Sequence, residues 1–148
     1  MSKYPHIKLL TIAVEHYQAY LLIIEHNHSI TDKFHVKYYL ICRSIELLLK
    51  SWLVYCGISE VELKSRYGHN LKKLIVESIH QNIESKLEII ISQEIIDTVD
   101  KLNTYYKPKD FEYPVTGFKS VPLYIQLNKP LEDIISKLER FYRHQATG

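Results

Sequence analysis

The sequence predicts an all-α protein, a single helical bundle of about five main helices that occupies residues 1–148. Apolar residues recur every three or four positions along most of the chain, which is the period of a helix. Glycine and proline are scarce, with four and five copies among 148 residues, so few tight turns are available. The length lies within the usual range of one domain and allows a core that needs neither metal nor disulfide.

The bulk composition is that of an ordinary globular protein and points to no particular ligand. The formal net charge is only +2, which neither demands nor excludes a nucleic-acid partner. We expect a cytoplasmic protein without a membrane partner, because the N-terminus lacks a signal-peptide pattern and no apolar run approaches the ~18 residues of a membrane span. Cys42 and Cys56 would lie about 21 Å apart on one helix, too far for a disulfide.

The first half of the chain predicts two long antiparallel helices. The first helix carries an apolar stripe, and a polar stretch with Thr31 or Asp32 as helix cap precedes the second, which runs from about 33 to 56 and stops at Gly57. The second helix is apolar over most of its circumference, as expected for the middle of a bundle. The two predicted stripes are Ile7, Leu10, Val14, Tyr17, Leu21 and Ile24, and then Phe34, Tyr38, Ile41, Ile45, Leu48, Trp52 and Tyr55.

Cap residues predict where the later helices begin. Ser59 with Glu62 forms a capping-box pattern for a short helix that ends at Gly68. Asn70, Ser92 and Asn128 are the predicted caps of three further helices, while residues 80–91 show no clear pattern.

Residues 107–127, KPKDFEYPVTGFKSVPLYIQL, break the helical period and predict a long ordered loop. Loops of this length in compact domains are often functional. Tyr113 and Phe118 could stack on a base while Lys119 meets a phosphate. The alternative is that these aromatic side chains close one end of the bundle.

Three charges interrupt the second helix. Arg43, Glu46 and Lys50 are spaced three and four apart and therefore lie on one side of it. One interpretation is an ionic strip that satisfies itself inside the bundle or at a dimer seam. The other is the polar wall of a groove, with Arg43 offered to phosphate or carboxylate.

The runs CRSIELLLKSWLVYCG and ELKSRYGHNLKKL, with the YYKPKDFEYPVTGFKSVP segment, resemble the HEPN superfamily (higher eukaryotes and prokaryotes nucleotide-binding) over roughly residues 36–127. The resemblance rests on Ser44-Ile45-Glu46 followed by Leu47–Lys50, and on the Tyr67–Leu71 run. It implies a small helical bundle, a homodimer, and binding of a nucleotide, RNA or a partner protein, in a defence or toxin–antitoxin-like context.

Many HEPN proteins are metal-independent RNases with an arginine, four to six residues, and then a histidine. This chain departs from that motif, because Arg66 and His69 have only two residues between them and Arg140 and His144 have only three. The resemblance therefore implies a non-catalytic or degenerate domain, and it leaves enzymatic activity open. The alternatives are a divergent RNase that uses Arg66 and His69 with Glu46, and a purely structural interaction module.

No cofactor or metal is expected. His26 and His28 could both reach one ion, but a metal site needs three or four ligands and no further pair has matching spacing. We interpret this stretch as a solvated turn.

Overall fold

The computed structural model describes residues 4–26, 34–106 and 124–147, and these residues confirm the all-α fold, with helices and no strand. Five of its helices have ten residues or more, and two are shorter. In chain order the helices are α1 (Pro5–Glu25), α2 (Phe34–Tyr55), α3 (Glu60–Arg66), α4 (Leu71–His80), α5 (Ile83–Leu87), α6 (Gln93–Tyr106) and α7 (Asn128–Thr147), with a 3₁₀ helix at Tyr124–Leu127.

Helices α1 and α2 form an antiparallel pair joined by two serines of α2. Ser44 Oγ donates to the carbonyl of Ala13 (2.8 Å) and Ser51 Oγ to that of His6 (2.6 Å). The predicted stripe of α1 is partly wrong: Ile7 is 38% exposed, whereas Ala13 and Tyr20 are fully buried. The buried face is therefore rotated relative to the predicted stripe. The small side chain of Ala13 lets α2 approach closely. The Tyr17 and Tyr20 hydroxyls donate hydrogen bonds to Glu132 and Asn128 on α7, each at 2.8 Å.

Helix α1 is long and apolar enough to cross a membrane by length and composition alone, although charged residues interrupt its apolar sequence and only 22% of its apolar window is buried inside the protein. Its contacts with α2 and α7 place its buried face in the bundle core.

Helix α2 is the central element, in contact with α1, α4, α6 and α7. Its predicted stripe is confirmed at Tyr38, Ile41, Ile45, Leu48 and Trp52, which are all buried. The predicted stop at Gly57 is confirmed as well. With φ at +104°, Gly57 donates its N–H to Val54 O while Ile58 donates to Leu53 O, each at 3.0 Å, which is the Schellman pattern of a helix end.

The caps of α3, α4 and α6 are confirmed, with one difference. Ser59, Asn70 and Ser92 accept hydrogen bonds from the backbone N–H groups of Glu62, Lys73 and Ile95. Glu62 was also expected to reach back toward Ser59, but its carboxylate binds Arg66 instead. The pattern of residues 80–91 is obscured because left-handed residues, Asn82 and Glu88, flank the short α5.

The predicted cap at Asn128 is wrong. Helix α7 begins at Asn128 and follows the 3₁₀ helix directly, so the final residues of the predicted loop, 124–127, are helical. The Asn128 side chain accepts from Tyr20 Oη and thereby ties α7 to α1. The rest of the predicted loop, 107–123, lies outside the described residues.

Candidate functional site

A buried carboxylate, Glu46, organises a polar cluster within the bundle. Glu46, at the middle of α2, has no solvent exposure. Four side chains surround it: Arg43 Nη1 (2.8 Å) and Lys50 Nζ (2.8 Å) at Oε2, and His69 Nδ1 (2.9 Å) and Tyr106 Oη (2.6 Å) at Oε1. This environment satisfies an ion that would otherwise be very costly to bury.

The two cations reach Glu46 because of their helical spacing. Arg43 and Lys50 stand three residues before and four residues after it, on the same side of α2. Their side chains are 30% and 14% exposed, against 0% for the carboxylate. The predicted ionic strip is therefore present, with its anion at the bottom and its cations nearer to solvent.

The other two partners come from distant elements. His69 lies in the turn between α3 and α4, directly after Gly68, whose φ of +53° reverses the chain. It directly precedes Asn70, the cap of α4, and its ring packs edge-on against Tyr106 of α6. Glu46 consequently links α2 to the α3–α4 turn and to α6.

The pKa shifts show which groups carry charge. Burial alone would raise the pKa of Glu46, but hydrogen bonds from Lys50, Tyr106 and His69 outweigh it and lower that pKa below its ordinary value. Burial and the neighbouring Glu46 carboxylate raise the pKa of the Tyr106 phenol, so this group stays a neutral donor. The cluster thus holds one carboxylate and two cations, with an excess of positive charge.

A pocket of about 370 Å³ opens over this cluster. Its walls come from α1, α2, α3 and the α3–α4 turn. The basic side chains around it are Arg43, Lys50, Lys64 and His69, while Glu60 contributes one carboxylate besides Glu46. Its apolar lining consists of Leu9, Leu47 and Leu63. Such a pocket suits a ligand that combines an anionic group with an apolar or aromatic part.

The structure gives Arg66 and His69 different partners. Arg66 Nη1 pairs with Glu62 Oε1 at 2.6 Å on the exposed side of α3, and its guanidinium lies 5.3 Å from the Tyr67 ring centroid. His69 instead contacts Glu46 and Tyr106. Of the residues expected in an RNase site, Glu46 and His69 are therefore brought together, and Arg66 is engaged elsewhere.

Most of the remaining predicted site residues lie in the part of the chain that the structure does not describe. Tyr113, Phe118 and Lys119 lie outside the described residues, as does His28, and His26 is exposed at the end of α1. Within residues 4–26, 34–106 and 124–147, no three histidine, cysteine, aspartate or glutamate side chains cluster as a metal site would require.

Sequence reasoning missed the roles of Tyr106 and Lys64. Tyr106 lies 60 positions from Glu46 along the chain. No spacing rule reaches that far, since helix period relates only residues on one element. No family model, curated protein or solved structure matches the chain.

Proposed function

We propose that this protein is a non-catalytic or degenerate HEPN-like domain that binds a phosphate-bearing ligand, a nucleotide or RNA, in the pocket over Glu46. The ligand's phosphate lies against Arg43, Lys50, Lys64 and His69. A homodimer in the cytoplasm, acting in a defence or toxin–antitoxin-like context, is part of the same proposal and rests on family analogy alone.

The observation that carries the proposal is the placement of two partly exposed cations, Arg43 and Lys50, over a fully buried carboxylate. Glu46 holds Arg43 and Lys50 in fixed positions, each by a 2.8 Å contact. A phosphate that arrives at this site meets donors that are already oriented, so little side-chain freedom is lost on binding. Charge-assisted hydrogen bonds from arginine and lysine are the usual means of holding phosphate.

The pocket's size and lining favour a small ligand or a single nucleotide unit. Its volume of about 370 Å³ lies within the roughly 300–1,000 Å³ of small-molecule sites. Leu9, Leu47 and Leu63 offer apolar surface beside the cations. A nucleotide matches this lining, with its base against the apolar side chains and its phosphate against the cations.

The divergent-RNase alternative draws support from one contact. His69 Nδ1 lies 2.9 Å from Glu46 Oε1, an arrangement that orients an imidazole for proton transfer. Arg66 pairs with Glu62 on the exposed side of α3. Of the proposed catalytic pair, only His69 lines the pocket, which favours ligand binding over RNA cleavage. In the structural-module alternative, the cluster serves only to hold α2, the α3–α4 turn and α6 together.

The test is a binding titration with a matched charge reversal. Fluorescent short RNA and mononucleotides are titrated against the wild type, Lys64→Glu and Lys73→Glu in EDTA. Both lysines are exposed, but only Lys64 lines the pocket. We expect Lys64→Glu to weaken binding about tenfold and Lys73→Glu to leave it within about twofold, as for a local contact.

Equal weakening by both substitutions would indicate nonspecific attraction and contradict the proposal. Absence of binding by the folded wild type would leave the structural-module alternative. Cleavage of the RNA in EDTA that disappears in His69→Ala would establish the RNase alternative instead.

A further inference from the structure

The contact between His69 and Glu46 determines which ring nitrogen carries a proton. An ionised carboxylate only accepts hydrogen bonds. Oε1 of Glu46 also accepts from Tyr106 Oη, and the carboxylate has no solvent exposure. Nδ1 of His69, at 2.9 Å from Oε1, must therefore be the donor, with its proton directed into the bundle.

The second ring nitrogen is then the one available to a ligand. The His69 side chain is 40% exposed and lines the pocket. Since Nδ1 points at a buried atom, the exposed part of the ring is the opposite side, which carries Nε2. In the neutral ring Nε2 accepts hydrogen bonds and repels a phosphate oxygen, whereas in the protonated ring it donates to one.

We infer that Glu46 is a positioning residue that holds His69 with its proton on Nδ1, and that Nε2 of His69 is the group that makes phosphate binding stronger when the ring is protonated. The inference deepens the proposed function and rests on it. The site would then bind, at mildly acidic pH, ligands whose phosphate oxygens stay fully ionised at that pH, such as phosphodiesters.

Several charged groups lie near His69. Glu46 of α2 and Tyr106 of α6 contact it, and the same pocket is lined by Arg43 and Lys50 of α2, Glu60 and Lys64 of α3, and Leu9 of α1. Side chains of these charged types ordinarily keep one charge state between about pH 5.5 and 8, whereas histidine ordinarily changes charge there.

The first test needs no ligand. Nitrogen-15 NMR of the histidine rings in the wild-type protein identifies the tautomer of His69, assigned through the missing signals of His69→Asn. We expect the Nδ1–H form at pH 8. A ring that carries its proton on Nε2 would overturn the inference, whatever the protein binds.

The second test measures affinity against pH. The probes are sulfate and a short RNA oligonucleotide, whose charges stay constant between about pH 5.5 and 8. We expect wild-type affinity to be about tenfold higher at pH 5.5 than at pH 8, the effect of one gained charge-assisted hydrogen bond. His69→Asn, whose amide can still donate to Glu46, should lose this dependence, and the control His80→Asn on the outer end of α4 should keep it.

The outcomes separate the inference from the proposed function. If the wild type binds neither probe at any pH, the proposed function fails, and the role of Nε2 fails with it. If it binds both with an affinity that does not change with pH, or if His69→Asn retains the change, the inference is wrong while phosphate binding stands.

Discussion

Glu46 is the residue on which the site depends, because an anion without solvent exposure is stable only with its donors in place. Its four contacts, between 2.6 and 2.9 Å, replace the water that burial removed. Removing the charge leaves Arg43 and Lys50 facing each other without their common anion. Breaking a buried pair from one side is strongly unfavourable.

We predict that Glu46→Gln lowers the free energy of unfolding by about 3 kcal/mol, because the amide keeps the shape but not the charge. Urea unfolding monitored by circular dichroism measures the change. Asp100→Asn is the matched control, since the Lys72–Asp100 pair is roughly half exposed on both sides and such pairs contribute about 0–1 kcal/mol. Equal losses of unfolding free energy in the two variants would show that the buried Glu46 charge contributes no more to stability than an exposed carboxylate does.

The pH dependence of stability follows from the lowered pKa of Glu46. Because the pKa is lower in the folded than in the unfolded state, the stabilisation is complete above the unfolded value of about 4.3 and is lost as the pH falls through the folded value. We therefore expect the stability difference between the wild type and Glu46→Gln to shrink as the pH falls below about 4. A difference that stays the same or grows below that pH would contradict the assignment.

At the scale of elements, the site depends on how the α3–α4 turn is held against α6. Asn103 of α6 accepts from the Leu71 N–H at 2.8 Å and donates to Asn70 Oδ1 at 3.0 Å. Asn70 is the neighbour of His69 and also caps α4. One buried amide therefore completes the start of α4 and sets the position of the histidine.

We predict that Asn103→Ala lowers the free energy of unfolding by about 2 kcal/mol, since it leaves the buried Leu71 N–H without its acceptor. The same variant should weaken RNA binding, because the His69 turn loses its anchor. Thr104→Ala is the control, because Thr104 is exposed and its hydroxyl donates within its own helix turn, to Lys101 O. Urea unfolding and the RNA titration check both parts, and unchanged values for Asn103→Ala would show that α6 does not set the turn.

At the scale of the whole molecule, α1 has apolar surface beyond what the bundle covers. Its apolar window is only 22% buried, and Leu22 remains 56% exposed. Exposed apolar surface of this kind is typical of association sites. The homodimer implied by the HEPN resemblance would cover it.

We expect sedimentation equilibrium without detergent to give a dimer, and Leu22→Glu to shift it toward monomer because a charge at the seam must be desolvated. Val61→Glu is the matched control, since Val61 is 79% exposed on α3. A monomer at all concentrations would contradict the dimer proposal. Equal shifts in both variants would place the seam elsewhere than on α1.

The local features of this protein follow from its amino-acid sequence. Helix period, the caps at Ser59, Asn70 and Ser92, and the stop at Gly57 depend on residues a few positions apart, so their spacing is sufficient to predict them. The same holds for Arg43, Glu46 and Lys50, whose neighbourhood follows from helix geometry alone.

The packing of the helices sets which side of the ionic strip is buried and which residues complete the cluster around Glu46. His69 and Tyr106 meet Glu46 across 23 and 60 positions, and those contacts exist because α2 lies against α4 and α6. The rotated face of α1 and the use of Asn128 as a partner for Tyr20 have the same origin. A periodic pattern shows that a helix has an inner face, but the neighbouring helices choose which residues lie at its centre and which polar groups they satisfy.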